Sequence, residues 1–282
     1  MPKKEIESIL ALFSKEHFKE ALDALEELII DEPYDSLLFN IQGACYAGLN
    51  QLNLAQENYE KAIALNPDYS KAHYNLAGIF HELEEFDASI QSYKNALLIE
   101  PDYAEAYNNL GNVFRESSQL DEAVESYKRA IKINPEYVEA YYSLGVSFQE
   151  LGQLEETVEC FEQALKIRPN LTGIHNNLGN ILRDLDRYDE AILSYKKAIS
   201  FDSNFVEVYF NLGAVFQKLN QLDNAVDFYK LAIKIKLDYP EAHNNLGVAY
   251  KDLKEFDLAI KSYQMAIKIK PDYAEAHNNI GI

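Results

Sequence analysis

Six asparagines, Asn75, Asn109, Asn177, Asn211, Asn245 and Asn279, recur at intervals of 34 residues or of twice 34. A carboxamide carries two N–H donors and a carbonyl acceptor, the complement of a peptide unit. A column of them suits the backbone of an extended polypeptide and takes little account of its side chains. The same amides could instead satisfy one another or neighbouring backbone. Asn112 and Asn180, three residues beyond two members, lengthen the polar strip. Tyr74, Tyr142 and Phe210 precede column positions at alternate intervals, where a ring can clamp an apolar side chain or simply pack. Carboxylates flank the strip at Glu82, Glu116, Glu150, Asp184 and Asp252, and again at Glu105, Glu139, Glu207 and Glu241. An acidic trough attracts segments bearing Lys or Arg.

Catalytic and metal chemistry finds no such support. His73, His175, His243 and His277 share one place in the period, so neighbours sit one helix spacing apart, about 8–10 Å. Zinc ligands must lie about 2 Å from a common ion. These histidines read as core rings, and no metal site or cofactor is expected. There is no HExxH, paired-cysteine, GxxxxGK[ST] or GxSxG motif. Acidic pairs such as Glu155-Glu156 recur as helix starts, so no catalytic residue is assigned. Cys45 and Cys160 lie inside helical patterns and read as small buried hydrophobes in a reducing compartment. The net charge of −20 opposes nucleic acid and anionic membrane and favours basic polypeptide partners. No run approaches the roughly 20 apolar residues that span a bilayer, and the first thirteen residues are too broken by charge for a secretory signal. The expectation is a cytoplasmic protein, in which the Asn170-Leu171-Thr172 acceptor pattern has no meaning.

The elements that must hold the strip follow from the period. Pro33, Pro67, Pro101, Pro135, Pro169 and Pro271 keep one phase of it, with Ser203 and Leu237 at the two intervening steps. Numbering each repeat so that this proline is position 32 gives units 2–35, 36–69, 70–103, 104–137, 138–171, 172–205, 206–239 and 240–273, followed by a truncated ninth, 274–282. Position 8 is Gly43, Ala77, Gly111, Gly145, Gly179, Gly213, Gly247 and Gly281, and position 27 is alanine from Ala62 to Ala266. Rings fill position 24, from Tyr59 to Tyr263, and most of position 11. A small residue lets two helix backbones approach, and a ring fills the space beside it. Tyr107, Leu110, Gly111 and Phe114 have the i, i+3, i+4, i+7 spacing of one amphipathic helix, and Ala123, Tyr127, Ala130 and Ile131 of a second. Positions 2, 6, 9 and 13 then lie opposite the core stripe of the first helix. Asp102 with Glu105, Asn204 with Glu207, Asp238 with Glu241 and Asp272 with Glu275 read as capping boxes, which also gives those glutamates a structural reason. Acids open the second helices and bases close them, as the helix dipole favours.

This density of matches resembles the tetratricopeptide repeat family over nearly the whole chain. The resemblance implies an all-α, right-handed α-α superhelix (solenoid) of 34-residue helix-turn-helix repeats, with the first helices lining a concave groove. Repeat 2–35 departs most, with Ile9 and Leu28 at positions 8 and 27, and reads as an N-terminal capping repeat. The asparagine column is similar to that in the repeat arm of O-linked N-acetylglucosamine transferase, which implies binding of substrate backbones by those six residues, with Ser143 a break. The basic clamp of repeats that grip a free C-terminal carboxylate cannot be assembled, because Asn108, Asn176, Asn244 or rings stand where it needs lysines. The expectation is a non-catalytic scaffold binding extended polypeptides, as the recruiting arm of a larger protein. The alternative is the arm of a transferase whose catalytic domain lies beyond residue 282.

Overall fold

A computed structural model describes residues 2–281, so Ile282, the last residue of segment 274–282, lies outside the described residues. Among these are seventeen helices and no strand. First helices start at Pro2, Ser36, Ser70, Ala104, Val138, Thr172, Val206, Pro240 and Ala274. Second helices start at Phe18, Leu52, Phe86, Leu120, Leu154, Tyr188, Leu222 and Phe256. Every start falls 34 residues after the last of its kind. The chain divides into two units, one ending at Leu151 and one beginning at Gly152. Within each, a first helix packs on its second across a three-residue turn, and that second helix on the next first helix.

The position 8 glycine and the position 24 tyrosine of one repeat make the closest contact. A Cβ on Gly111 would stand 2.6 Å from Tyr127, on Gly179 2.5 Å from Tyr195, and on Gly213 2.6 Å from Tyr229. The rings are fully buried, and Ala62, Ala96, Ala130, Ala164, Ala198, Ala232 and Ala266 at position 27 are 0% exposed. Cys45 and Cys160 are both buried, and burial pushes the Cys45 thiol up to about 11.

Between the helices the backbone closes by a Schellman motif: Gln119 N–H donates to Phe114 O at 2.7 Å and Ser118 N–H to Arg115 O at 3.0 Å. The residue at this corner is left-handed in every repeat, at Glu16, Asn50, Glu84, Ser118, Asp186, Asn220 and Lys254, with φ from 57° to 64°. Only Gly152 is the glycine that this conformation favours.

The capping boxes do not form. The helices begin one residue later than those boxes require, so Tyr103, Phe205, Tyr239 and Tyr273 are the N-caps, and none makes a side-chain cap. Acidic and amide side chains brace the preceding loop instead: Asn134 Oδ1 accepts from Glu136 N–H and Asp202 Oδ1 from Asn204 N–H. Asp35, whose side chain accepts from Leu37 N–H at 2.8 Å, is the side-chain cap that forms. Pro240 stands in a first helical turn, where its missing N–H has no consequence.

Two glycine substitutions separate packing from propensity. Gly111→Ala is expected to lower stability by about 1–3 kcal/mol, because the buried Tyr127 ring has nowhere to move. Gly173→Ala meets nothing within 4 Å and should leave stability unchanged or raise it by up to ~1 kcal/mol. Urea midpoints of the two variants check this, and equal midpoints contradict it.

Candidate functional site

The column asparagines Asn75, Asn109, Asn177, Asn211, Asn245 and Asn279 are all half-buried on the first helices. Position 6 of one repeat bonds to position 5 of the repeat before it. Asn75 Nδ2 donates to Asn40 Oδ1 at 3.0 Å, Asn211 Nδ2 to Asn176 Oδ1 at 3.1 Å, and Asn279 Nδ2 to Asn244 Oδ1 at 3.0 Å. Where position 5 is Tyr74, Asn109 Nδ2 donates to its hydroxyl at 2.8 Å. Asn245, whose position 5 counterpart is Phe210, accepts from Asn244 Nδ2 at 3.3 Å and lies beside the Tyr229 hydroxyl. The strip therefore ties repeats together. A carboxamide with one N–H engaged still has a second donor and spare acceptor capacity.

Asn112 and Asn180 serve the core rings. Tyr127 OH donates to Asn112 Oδ1 at 2.8 Å and Tyr195 OH to Asn180 Oδ1 at 2.7 Å, where Asn211 also donates at 3.1 Å. In the second unit this polar layer borders an open cavity of ≈ 620 Å³, lined by Arg183, Asp184, Gln217, Tyr229, Asn245 and others.

Tyr74 and Phe210 are packed rather than free. Tyr74 stacks on Tyr103 with centroids 4.9 Å apart and meets Tyr93 edge-on at 5.7 Å. Phe210 lies 5.2 Å from Tyr239 and 5.8 Å from Tyr229. Tyr142 is 36% exposed. Sequence reasoning missed Tyr103 and Tyr239, on which Tyr74 and Phe210 pack, and Tyr137 and Tyr273, the other position 34 rings beside the position 2 glutamates. Burial first, then the Tyr74 hydroxyl and Glu105, push Tyr103 up to about 12. Burial, Glu105 and Tyr74 do the same to Tyr137. Burial with Glu207 and Glu241 raises Tyr239 to about 12, and burial with Glu275 and Glu241 raises Tyr273 to about 12.

Three acids of the row from Glu82 to Asp252 are paired. Glu116 pairs with His81 at 2.7 Å, Glu150 with Arg115 at 3.2 Å and Asp184 with Arg183 at 2.9 Å. The position 4 histidines clip loops: Nε2 of His73, His175 and His277 lies 3.0, 2.8 and 2.8 Å from the carbonyls of Pro67, Pro169 and Pro271. His175 and His243 are buried as core rings, whereas His277 is exposed. Burial lowers the pKa of His175 and His243. Among the described residues, no group of three or more His, Cys, Asp or Glu could hold a metal, and no helix is long and apolar enough to cross a membrane.

The pattern described as TPR repeat matches residues 43–84, 79–116, 111–152, 179–220 and 218–254, and the tetratricopeptide repeat pattern matches 138–171 and 240–273. The peroxisomal targeting signal receptor of Saccharomyces cerevisiae is 34% identical over 68 residues, which is 24% of this chain and 11% of that protein. Its counterpart in Kluyveromyces lactis is 35% identical over 65 residues, 23% of this chain and 12% of that one. The chain thus spans only 11% and 12% of the curated relatives it matches. Among solved structures, YrrB, described as a TPR protein with an unusual peptide-binding site, is 22% identical with a TM-score of 0.60, over 68% of this chain and 100% of that one. The C-terminal part of a TPR repeat-containing protein from Cytophaga hutchinsonii is 17% identical with a TM-score of 0.65, over 98% and 99%. At these identities the structures share the fold alone.

The raised tyrosines make stability pH-dependent in a defined window. Their folded pKa near 12 exceeds the ordinary value near 10. Their contribution is therefore complete below pH ~10 and is lost as pH rises toward ~12. Tyrosinate absorbance followed alongside urea midpoints should show stability falling across that range. A set of tyrosines all ionising near pH 10 in the folded protein contradicts it.

Proposed function

The chain belongs to the tetratricopeptide repeat family, and on that footing we propose that its amide strip holds an extended segment of another polypeptide. One observation carries this reading. The column asparagines are half-buried at a spacing set by the fold, and Asn75 and Asn279 each spend one N–H on the neighbouring repeat, which leaves a second donor and acceptor capacity. A ligand pairing with that capacity offers backbone N–H and C=O groups in turn. The names of two relatives favour a peptide ligand, one a receptor for a targeting signal and the other a protein with a peptide-binding site. The charge of −20, with Glu105, Glu207 and Glu241 beside the strip, favours a basic segment over nucleic acid or an anionic membrane. The role is that of a scaffold or recruiting arm, cytoplasmic and without chemistry of its own.

A peptide array probed with the wild-type chain and with the Asn75→Ala, Asn211→Ala, Asn245→Ala triple variant tests this. The variant should lose about tenfold or more in binding, given a net worth of ~1 kcal/mol for each backbone hydrogen bond removed. Thermal melting of both proteins separates lost binding from lost folding. Equal capture by a folded variant removes the strip from the binding site.

A further inference from the structure

We propose that Asn108, Glu105 and the tyrosines around them form a subsite for one arginine side chain of the bound segment, at the place where Ser143 interrupts the amide strip. The inference rests on the polypeptide-binding reading and names a side chain that the segment carries.

In the intact rungs, a position 5 carbonyl accepts from the position 6 amide of the next repeat: Asn40 from Asn75, Asn176 from Asn211, Asn244 from Asn279. The residue that should serve Asn108 is Ser143. Serine is too short to act as that amide, and its hydroxyl lies beside that of Tyr127. Asn108 is 6% exposed, and its Oδ1 has no hydrogen-bond partner. Its Nδ2 donates to Asn109 Oδ1 at 3.3 Å, the same geometry as Asn244 to Asn245 at 3.3 Å. The carboxamide is therefore oriented as in an intact rung, with its carbonyl aimed at the place the missing amide would fill. A buried acceptor without a donor is a standing deficit that a ligand N–H removes.

The surroundings choose the donor. Glu105 lies one turn before Asn108 on the same helix face. Its charge acts on Tyr74, Tyr103 and Tyr137 together, and Tyr74 stacks on Tyr103 at 4.9 Å. A carboxylate, an amide carbonyl and aromatic faces in one cluster match a flat cation with several N–H groups. Guanidinium fits all three: it forks onto a carboxylate, lies against a ring, and keeps further donors. The Asn108 carbonyl reaches such a ligand by turning about its Cβ–Cγ bond. That turn breaks only the 3.3 Å bond to Asn109, which is long for N–H···O. At any other rung it also breaks a bond of 3.0–3.1 Å.

The second unit holds a built-in control. Glu241, Phe210, Tyr239 and Tyr273 repeat the cluster, but there the Asn244 carbonyl is occupied by Asn279. The arginine preference belongs to the first unit.

The test uses a blocked peptide of Ala, Ser and Gly with one central arginine, and the same peptide with uncharged citrulline in its place. Binding to the full chain is read by anisotropy, and the side-chain amide signal of Asn108 by NMR. The arginine peptide should bind about tenfold more tightly than the citrulline peptide and move the Asn108 signal more than that of Asn244. Ser143→Asn supplies the missing amide. It should raise the melting temperature and weaken the arginine peptide about fivefold or more, and Glu105→Gln should weaken it similarly. Equal binding of the two peptides overturns the arginine subsite and leaves the backbone grip of the strip intact. No binding of the arginine peptide, or unchanged binding to a more stable Ser143→Asn protein, overturns it as well.

Discussion

The contact of a tyrosine ring with a bare glycine backbone is the constraint on which the molecule depends. Gly43, Gly111, Gly179, Gly213 and Gly247 leave no room for a methyl group beside the rings that cross them. The ring holds the two helices of a repeat at short range, and it also spans the repeat. Its body is buried while its hydroxyl emerges at the polar strip, on Asn112, Asn180 or Gln217. Core and site are thus opposite ends of one side chain. Burial drives the Tyr59, Tyr93, Tyr195 and Tyr229 hydroxyls far above their ordinary pKa.

That coupling explains why the asparagines are neither simple binding groups nor simple struts. Each inter-repeat amide bond contributes ~1 kcal/mol at most, since it replaces bonds to water. Its larger effect is on geometry: it fixes the spacing and tilt of successive carboxamides before any ligand arrives. Preorganisation of this kind reduces the entropy lost on binding. Position 5 alternates between an amide (Asn40, Asn108, Asn176, Asn244) and a ring (Tyr74, Tyr142, Phe210), so the strip has a two-repeat texture rather than a uniform one.

Much of this was legible from the spacing of residues. Glycine, alanine and tyrosine recurring at 34 residues place both helices of each repeat, because a helix wheel converts a fixed interval into a fixed direction. The column asparagines could be named for the same reason, as could the burial of His175 and His243. That the amides could satisfy one another was also legible; which residues pair from one repeat to the next was not. Asn211 meets Asn176 across 35 residues, one more than the period, and that offset depends on how repeats stack. The position 34 tyrosines stood in plain view as a column, but a residue between helices has no wheel to give it a direction. The capping boxes failed because the helices start one residue later than the boxes need. Asp102 and Glu105 have the right spacing for one, but the helix starts at Ala104 with Tyr103 as its N-cap and the Tyr103 ring stacked on Tyr74.

The acidic character of the chain also resolves into parts with different consequences. Glu150 and Asp184 are tied to Arg115 and Arg183, so their charge is partly offset at short range, and Glu116 lies against His81. Glu105, Glu207 and Glu241 lie instead beside tyrosine hydroxyls, which cannot cancel them. The field met by an approaching segment is therefore set by the position 2 glutamates, and it fades over a Debye length of about 8 Å in physiological salt. Hydrogen bonds to the amides act only at contact and are nearly indifferent to salt. On the proposed peptide-binding reading, charge governs which segments arrive and how fast, and the amide strip governs how long they stay.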